Sequence, residues 1–187
     1  MVAQSQFIEM FGDPNANTKN WKTCKVSELF SLQMGKTPSR DNSAYWSSPD
    51  HKWISIADLG KYEKFTNVTE ESISDEAVQS TGIKIIPKGT VIMSFKLSVG
   101  RTAITSEDIY SNEAIVAFIP KDDTYKTEFL YDLVSYYDWL EHAIQAVKGK
   151  TLNKESLGVN NLIIPPVDFQ KKWICISKQA DKSKYLS

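Results

Sequence analysis

The chain changes character at Pro165-Pro166. Proline lacks a backbone N–H and clashes with the preceding turn, so this pair cannot lie in a helix interior, and the residues on its two sides fold as different elements. Beyond the pair, Asp168 occupies an N-cap position. Phe169, Trp173, Ile176 and Ala180 then recur at four-three-four steps, the spacing of a coiled-coil seam. Continued to the last residue, this helix would reach ~28 Å. Periodicity alone fits two arrangements: an arm that meets a partner helix, or a terminal helix folded back on its own core.

Ahead of the prolines the pattern is mixed. Residues 1–11 read as a helix with Phe7, Ile8 and Phe11 on one face, stopped by Gly12-Asp13-Pro14. Residues 21–30 are too short a stretch to assign. Lys52-Trp53-Ile54-Ser55-Ile56 alternates as a strand does. Ser74 can cap a short helix that ends near Gly82. Ile83-Lys84-Ile85-Ile86 and Thr90-Val91-Ile92-Met93 flank the turn residues Pro87-Lys88-Gly89 and read as a hairpin, followed by strands over 101–105 and 114–119. The clearest helix follows Thr127 as N-cap. Its apolar stripe runs Leu130, Leu133, Tyr137, Leu140, Ile144 and Val147, and Gly149 stands at the stop. Asp132, Asp138 and Glu141 are expected on its outer face, where they would repel phosphate, so this helix supports a surface rather than entering a groove.

At 187 residues and 41% hydrophobic content the chain can bury one substantial core. No apolar run approaches the roughly 18 residues of a membrane span, and the first residues lack the basic start and apolar centre of a signal peptide. A cytoplasmic protein is expected, with no membrane partner. Cys24 and Cys175 show no Cys-x-x-Cys spacing, and His51 and His142 are the only histidines, so neither a disulfide framework nor a metal site is expected.

Charge argues against a uniformly basic nucleic-acid protein, since the net charge is −1 and the pI about 6.1. Its distribution is uneven, however. Residues 77–106 carry Lys84, Lys88, Lys96 and Arg101 without an acid, and 142–154 carry Lys148, Lys150 and Lys154 likewise, whereas 107–141 hold nine acids against Lys121 and Lys126. Such segregation suits one DNA-facing side and an acidic back, as it also suits ordinary solvated surface.

Base readout requires side-chain donors, above all arginine or lysine toward guanine and asparagine or glutamine toward adenine, while phosphate contacts fix register. Three loops offer them. Lys36, Thr37, Ser39 and Arg40 surround Pro38, whose turn role is the plainer reading. Lys96, Ser98 and Arg101 lie around a turn at Gly100, which an exposed hairpin would equally explain. Lys148, Lys150, Asn153 and Lys154 surround Gly149-Lys150-Thr151, which is no phosphate-cradling loop because Ile144 stands where its first glycine is needed. Tyr45, Trp46 and Trp53 read as core aromatics more than as stacking platforms.

No catalytic residues are assigned. The only Pro-Pro is preceded by Ile164 and followed by Val167, unlike the Asn/Asp-Pro-Pro-aromatic motif of adenine methyltransferases, and no glycine-rich cofactor turn is present. Asp50, Asp58 and Glu63 lie close in sequence without the spaced acidic pair and lysine of a nuclease.

Three stretches in a particular order set these loops in context. They run Gly35-Lys36-Thr37-Pro38-Ser39-Arg40 through Tyr45-Trp46 to Lys52-Trp53-Ile54-Ser55-Ile56-Ala57-Asp58-Leu59, then Asn112-Glu113-Ala114-Ile115-Val116-Ala117, then Leu162-Ile163-Ile164-Pro165-Pro166-Val167-Asp168-Phe169-Gln170. Together they resemble, over nearly the whole chain, a target-recognition domain from the specificity subunit of a type I restriction-modification system. Gln6-Phe7-Ile8-Glu9-Met10-Phe11-Gly12-Asp13-Pro14 resembles the point where that family's spacer helix hands over to a recognition domain.

The resemblance implies an α+β fold: a β-rich target-recognition domain with a smaller α/β part, flanked by fragments of spacer (coiled-coil) helix. Residues 1–13 would end one spacer, 14–166 would form the recognition domain, and 167–187 would open the next spacer, with Phe169, Trp173, Ile176 and Ala180 facing a partner helix. Function would be the reading of one half-site of a bipartite target in double-stranded DNA. The expected partners are a DNA methyltransferase (modification) subunit, a restriction subunit, and a second recognition domain or second copy. S-adenosylmethionine, ATP and Mg²⁺ would belong to the partner subunits only. The alternatives are a helix-mediated protein-interaction module without DNA binding, and the recognition domain of a single-chain restriction-methylation enzyme.

Overall fold

Strands that are apolar at every position must be covered on both faces, and Ile115-Val116-Ala117-Phe118, inside the longest apolar run of the sequence (114–119), is fully buried. The computed structural model describes residues 2–96, 98–141 and 152–184. The N-terminal half contains α1 (Val2–Phe11), β1 (Thr23–Lys25), α2 (Val26–Leu29), β2 (Phe30–Met34), a 3-10 turn (Ser43–Tyr45), β3 (His51–Ile54), α3 (Ile56–Leu59), β4 (Glu71–Ile73) and α4 (Asp75–Thr81). There follow β5 (Val91–Ser94), β6 (Thr102–Ile104), β7 (Tyr110–Ser111), β8 (Ile115–Pro120), α5 (Thr127–Tyr136), α6 (Lys154–Gly158), β9 (Asn161–Ile163) and α7 (Val167–Lys184).

The central sheet has the order β2-β8-β5-β6, antiparallel throughout. Alternation sorts its side chains between two layers. Val91, Met93, Val116 and Phe118 join Phe7, Phe11, Phe129, Leu133 and Trp173 under the helices, whereas Ile92, Ala103, Ile115 and Ala117 pack with Ile54, Leu59, Ile86 and Ile109 on the other face. A smaller sheet, β4-β3-β7, carries a third cluster around Trp53, Ile73 and Tyr110, and β1 pairs with β9. The mixed α+β architecture is the one expected.

Several local expectations hold. Ser74 accepts from the Ala77 amide at 3.2 Å to cap α4, and Gly82 ends it with φ +60°, the left-handed region that favours glycine. Others are corrected. Of the α1 face, Phe7 and Phe11 are buried but Ile8 is exposed. The strand expected over 52–56 ends at Ile54, because Ser55 and Asp58 form a reciprocal capping box that opens α3. The hairpin expected around Pro87-Lys88-Gly89 does not form, because both edges of β5 are taken by β6 and β8; Ile86 instead makes a two-bond bridge with Ile109. The helix after Thr127 has Lys126 as its N-cap and ends at Tyr136, well short of the expected stripe. Tyr137 turns extended, Trp139 swings inward to donate from Nε1 to the Val134 carbonyl at 2.9 Å, and Leu140 is left exposed. Ile144, Val147 and Gly149 lie outside the described residues. Asp132, expected on the outer face, is buried and accepts from Trp173 Nε1 at 2.7 Å.

That bond corrects the reading of the terminal helix. Its buried face is Gln170, Trp173 and Ser177, not the seam expected from Phe169, Trp173, Ile176 and Ala180. Trp173 is 0% exposed, with its ring 5.2 Å from Phe7 and 6.1 Å from Phe11, and so is not available to a partner helix. Gln170 is equally buried and fully used. Its Nε2 donates to the Thr124 and Pro165 carbonyls at 3.0 and 2.9 Å, and its Oε1 accepts the Lys126 amide at 2.9 Å, which supplies the start of α5 with the partner its own N-cap lacks. Asp168 lies inside the first turn rather than at the cap. Phe169 remains exposed, and Ile176 and Ala180 are half-buried.

Replacing Trp173 by Ala should therefore lower the unfolding free energy by about 3–5 kcal/mol, since it opens a cavity and strips the buried Asp132 carboxylate of a donor. Phe169→Ala should cost about 1 kcal/mol. Urea denaturation of the two variants checks the difference; equal losses would contradict the packing described.

Candidate nucleic-acid interface

Three loops meet at one end of the central sheet because β2, β5 and β8 are registered so that Met34, Ser94 and Ile115 lie together. β8 is entered through Asn112, whose Oδ1 accepts the Ala114 amide at 2.7 Å and whose Nδ2 donates to Thr37 Oγ1 at 3.0 Å; the Thr37 hydroxyl in turn donates to the Glu113 carboxylate. Gly35 and Lys36 donate their amides to the Ile115 and Ser111 carbonyls at 3.2 and 2.9 Å. A Cβ on Gly35 would fall 2.0 Å from the Ser111 oxygen, so only glycine lets the 36–40 loop leave β2 this close to β7. On the other side Phe95 donates to the Ala114 carbonyl at 3.0 Å as β5 ends, and the turn over 95–101 closes through Gly100, with φ +93° and its amide 2.9 Å from the Ser94 oxygen.

Within this end the candidate side chains fall into two groups. The 36–40 loop is held by its own domain. Lys36 Nζ donates to the Thr81 carbonyl at 2.6 Å, and the Ser39 carbonyl accepts from Trp46 Nε1 at 3.0 Å. Arg40 grips Glu71 through both terminal guanidinium nitrogens, Nη2 to Oε2 at 3.0 Å, and lies 3.6 Å over the Trp46 ring. The hydrogen bond to Glu71 raises the pKa of this guanidinium above its ordinary value, outweighing partial desolvation. Trp53 is buried, edge-on to Trp46 at 5.1 Å, and its Nε1 donates to the Lys36 carbonyl; these aromatics brace the loop, and the Trp46 face is occupied by Arg40.

The turn over 95–101 differs. Lys96 and Arg101 are exposed, and among the described residues no carboxylate forms an ion pair with either. Ser98 is fixed through its backbone, which accepts from Ser94 Oγ, while its amide donates to the Lys96 carbonyl at 2.6 Å.

The third basic segment is not brought to this end. Lys148 and Lys150 lie outside the described residues. Asn153 caps α6, its Oδ1 accepting the Ser156 amide at 2.8 Å, and Lys154 begins that helix. α6 packs on α2, with Gly158 against Ser27 and the Val26 amide on the Asn160 carbonyl. α2 runs into Phe30, which pairs with Pro120 at the opposite end of β2, a span of about 13 Å at 3.3 Å per residue. Lys88 belongs to that far end too, since its turn precedes Val91, the partner of Phe118.

Glu71, Asn112 and Glu113 organise the site, and residue-by-residue reading gave them no role. Asn112 left a signal in its short polar turn before an apolar strand; Glu71, 31 residues from Arg40, left none. Two of the clustered acids have structural roles: Asp58 completes the capping box of α3 with Ser55, and Asp50 accepts the Asp75 amide at 3.1 Å; Glu63 accepts the Tyr131 hydroxyl at 2.7 Å through its backbone carbonyl, not its carboxylate.

One end of the central sheet thus presents anchored loops and two exposed cations that form no ion pair among the described residues. The family model for the type I restriction modification DNA specificity domain matches residues 18–185, and the chain belongs to that family. The type I restriction enzyme MjaIX specificity subunit of Methanocaldococcus jannaschii is 32% identical over 134 residues, which are 71% of this chain and 31% of that protein. The HindI specificity subunit of Haemophilus influenzae is 27% identical over 166 residues, 84% of this chain and 36% of that protein. The chain thus spans about a third of the length of these relatives. The HsdS subunit from Thermoanaerobacter tengcongensis shares the fold with a TM-score of 0.71 at 17% identity, over 97% of this chain and 43% of that one. No helix among the described residues is long and apolar enough to cross a membrane.

Gly35→Ala should destabilise the protein by about 1–3 kcal/mol, because the methyl group meets backbone oxygens that cannot yield. A shift of the urea midpoint checks this; an unchanged midpoint would contradict the close approach.

Proposed function

We propose that this domain reads one half of a bipartite target in double-stranded DNA with the sheet end formed by residues 36–40, 95–101 and 112–114. The observation that carries the reading is the exposed pair of cations, Lys96 and Arg101, on a turn where Ser98, Gly100 and Arg101 are held by hydrogen bonds to Ser94 and Lys96. A duplex rewards local positive charge even on a domain of net charge −1, because screening confines the interaction to about 10 Å. Arg101 is assigned to a base edge and Lys96 to phosphate, while the 36–40 loop, clamped by Glu71 and Trp46, supports the turn. We assign Asn153 and Lys154, at the far end, no part in this face.

Family membership supports a wider assembly. The chain is expected to work with a modification subunit that binds S-adenosylmethionine and with a restriction subunit that uses ATP and Mg²⁺, in the cytoplasm. A second recognition domain or a second copy would read the other half-site. Residues 1–13 and 167–187 are assigned to spacer helices, with the exposed Phe169 and the half-buried Ile176 as candidates for contact with a partner now that Trp173 is committed to the core.

Binding to a randomised half-site library at several salt concentrations, with the chain assembled with its modification subunit, tests the assignment. Arg101→Ala should relax discrimination at one position by ~1–3 kcal/mol. Lys96→Ala should weaken all sequences alike and flatten the log-log salt slope by about one unit. Lys154→Ala should leave both measures unchanged. An effect of Lys154→Ala alone would place the DNA on the opposite end of the sheet.

A further inference from the structure

The sequence has two arginines, and the structure treats them differently: Arg40 is committed to Glu71 and Trp46, whereas Arg101 has no ion-pair partner among the described residues. What Arg101 has instead is a seat. Its backbone is fixed at the head of β6, where its carbonyl accepts the Ser94 amide at 2.9 Å and its own amide donates to Ser94 Oγ at 3.2 Å. Its guanidinium lies against Gly60, the residue that closes α3. A Cβ built on Gly60 would fall 2.3 Å from Arg101 Nη1 and 3.1 Å from Cζ, while the nearest backbone atom, the Ala57 oxygen, would be at an ordinary 3.4 Å.

Gly60 has φ −71° and ψ −14°, right-handed values that any residue adopts, so its backbone conformation does not call for glycine. The approach of the guanidinium does. An arginine that must present a planar fork to one base loses readout when that fork is misplaced, and a long side chain left in solvent keeps many rotamers.

We propose that Gly60 is a positioning residue for sequence readout: its bare Cα forms the floor on which the Arg101 guanidinium rests and from which it addresses the base. This rests on the reading of Arg101 given above. A methyl group at position 60 displaces only the far end of a flexible side chain, so the fold is retained while the fork is redirected.

The test is the discrimination profile of Gly60→Ala, Arg101→Ala and the double variant on the randomised half-site library, with the urea midpoint of each. Gly60→Ala should relax discrimination roughly tenfold or more at the same single position as Arg101→Ala. It should keep the wild-type midpoint and salt slope, and it should add nothing in the Arg101→Ala background. If Arg101→Ala itself leaves the profile intact, the reading of this face fails. If Arg101→Ala relaxes one position and Gly60→Ala relaxes none, or relaxes a different one, the positioning role is overturned. A lowered midpoint for Gly60→Ala would overturn it as well, since the clash would then lie in the fold rather than in the guanidinium.

Discussion

β8 is the constraint on which the rest of the domain depends. It is hydrogen-bonded along both edges, to β2 and to β5, and covered on both faces, so a slip of one residue would exchange Val116 and Phe118 of the helix-side core with Ile115 and Ala117 of the opposite core. Its register is therefore fixed from four directions. Fixed with it are the positions of everything attached to its ends: the Asn112 turn, the 36–40 loop and the 95–101 turn at one end, and α2, the Lys88 turn and α6 at the other. Which basic residues can act together is decided by this pairing and not by their distance in sequence.

The same pairing explains how a domain with slightly more acids than bases can face a polyanion. Exposed ion pairs such as Arg40–Glu71, Lys52–Glu107 and Lys61–Glu70 contribute little to stability. Their consequence lies in subtraction: Arg40 of the 36–40 loop is neutralised by Glu71, whereas Lys96 and Arg101 of the β5–β6 turn form no ion pair among the described residues. Loops anchored by backbone bonds to a rigid sheet, with a few unneutralised side chains at their tips, are what sequence reading by a fixed scaffold requires.

The parts of the fold legible in the sequence are those with a local physical signature. Ser74 and Gly82 mark both ends of α4, and the run from Ala114 reads as a buried strand, because capping hydroxyls, left-handed glycines and continuous apolar stretches act over a few residues. Elements set by distant partners carry no such signature. The stripe from Leu130 predicted a helix past Leu140, but Trp139 filled the space beneath the sheet and turned the chain at Tyr137. α7 buries Gln170 and Ser177 beside Trp173, polar residues that a hydropathy pattern assigns to solvent; their burial is made tolerable by carbonyls from Thr124 and Pro165, and Ile174. The candidate site divided the same way. The 95–101 turn was visible from its own composition, whereas the neutralisation of Arg40 by Glu71 and the seat beneath Arg101 depend on contacts across 31 and 41 residues that no local pattern carries.

Amide hydrogen exchange of the assembled complex, with and without its target duplex, tests most directly the claim that one end of the central sheet faces DNA. The account predicts slowed exchange on DNA binding over residues 95–101, 36–40 and 112–114, with α6 and the turn around Lys88 unchanged. Protection confined to α6 and the Lys88 turn, with the 95–101 amides exchanging as in the free protein, would contradict it.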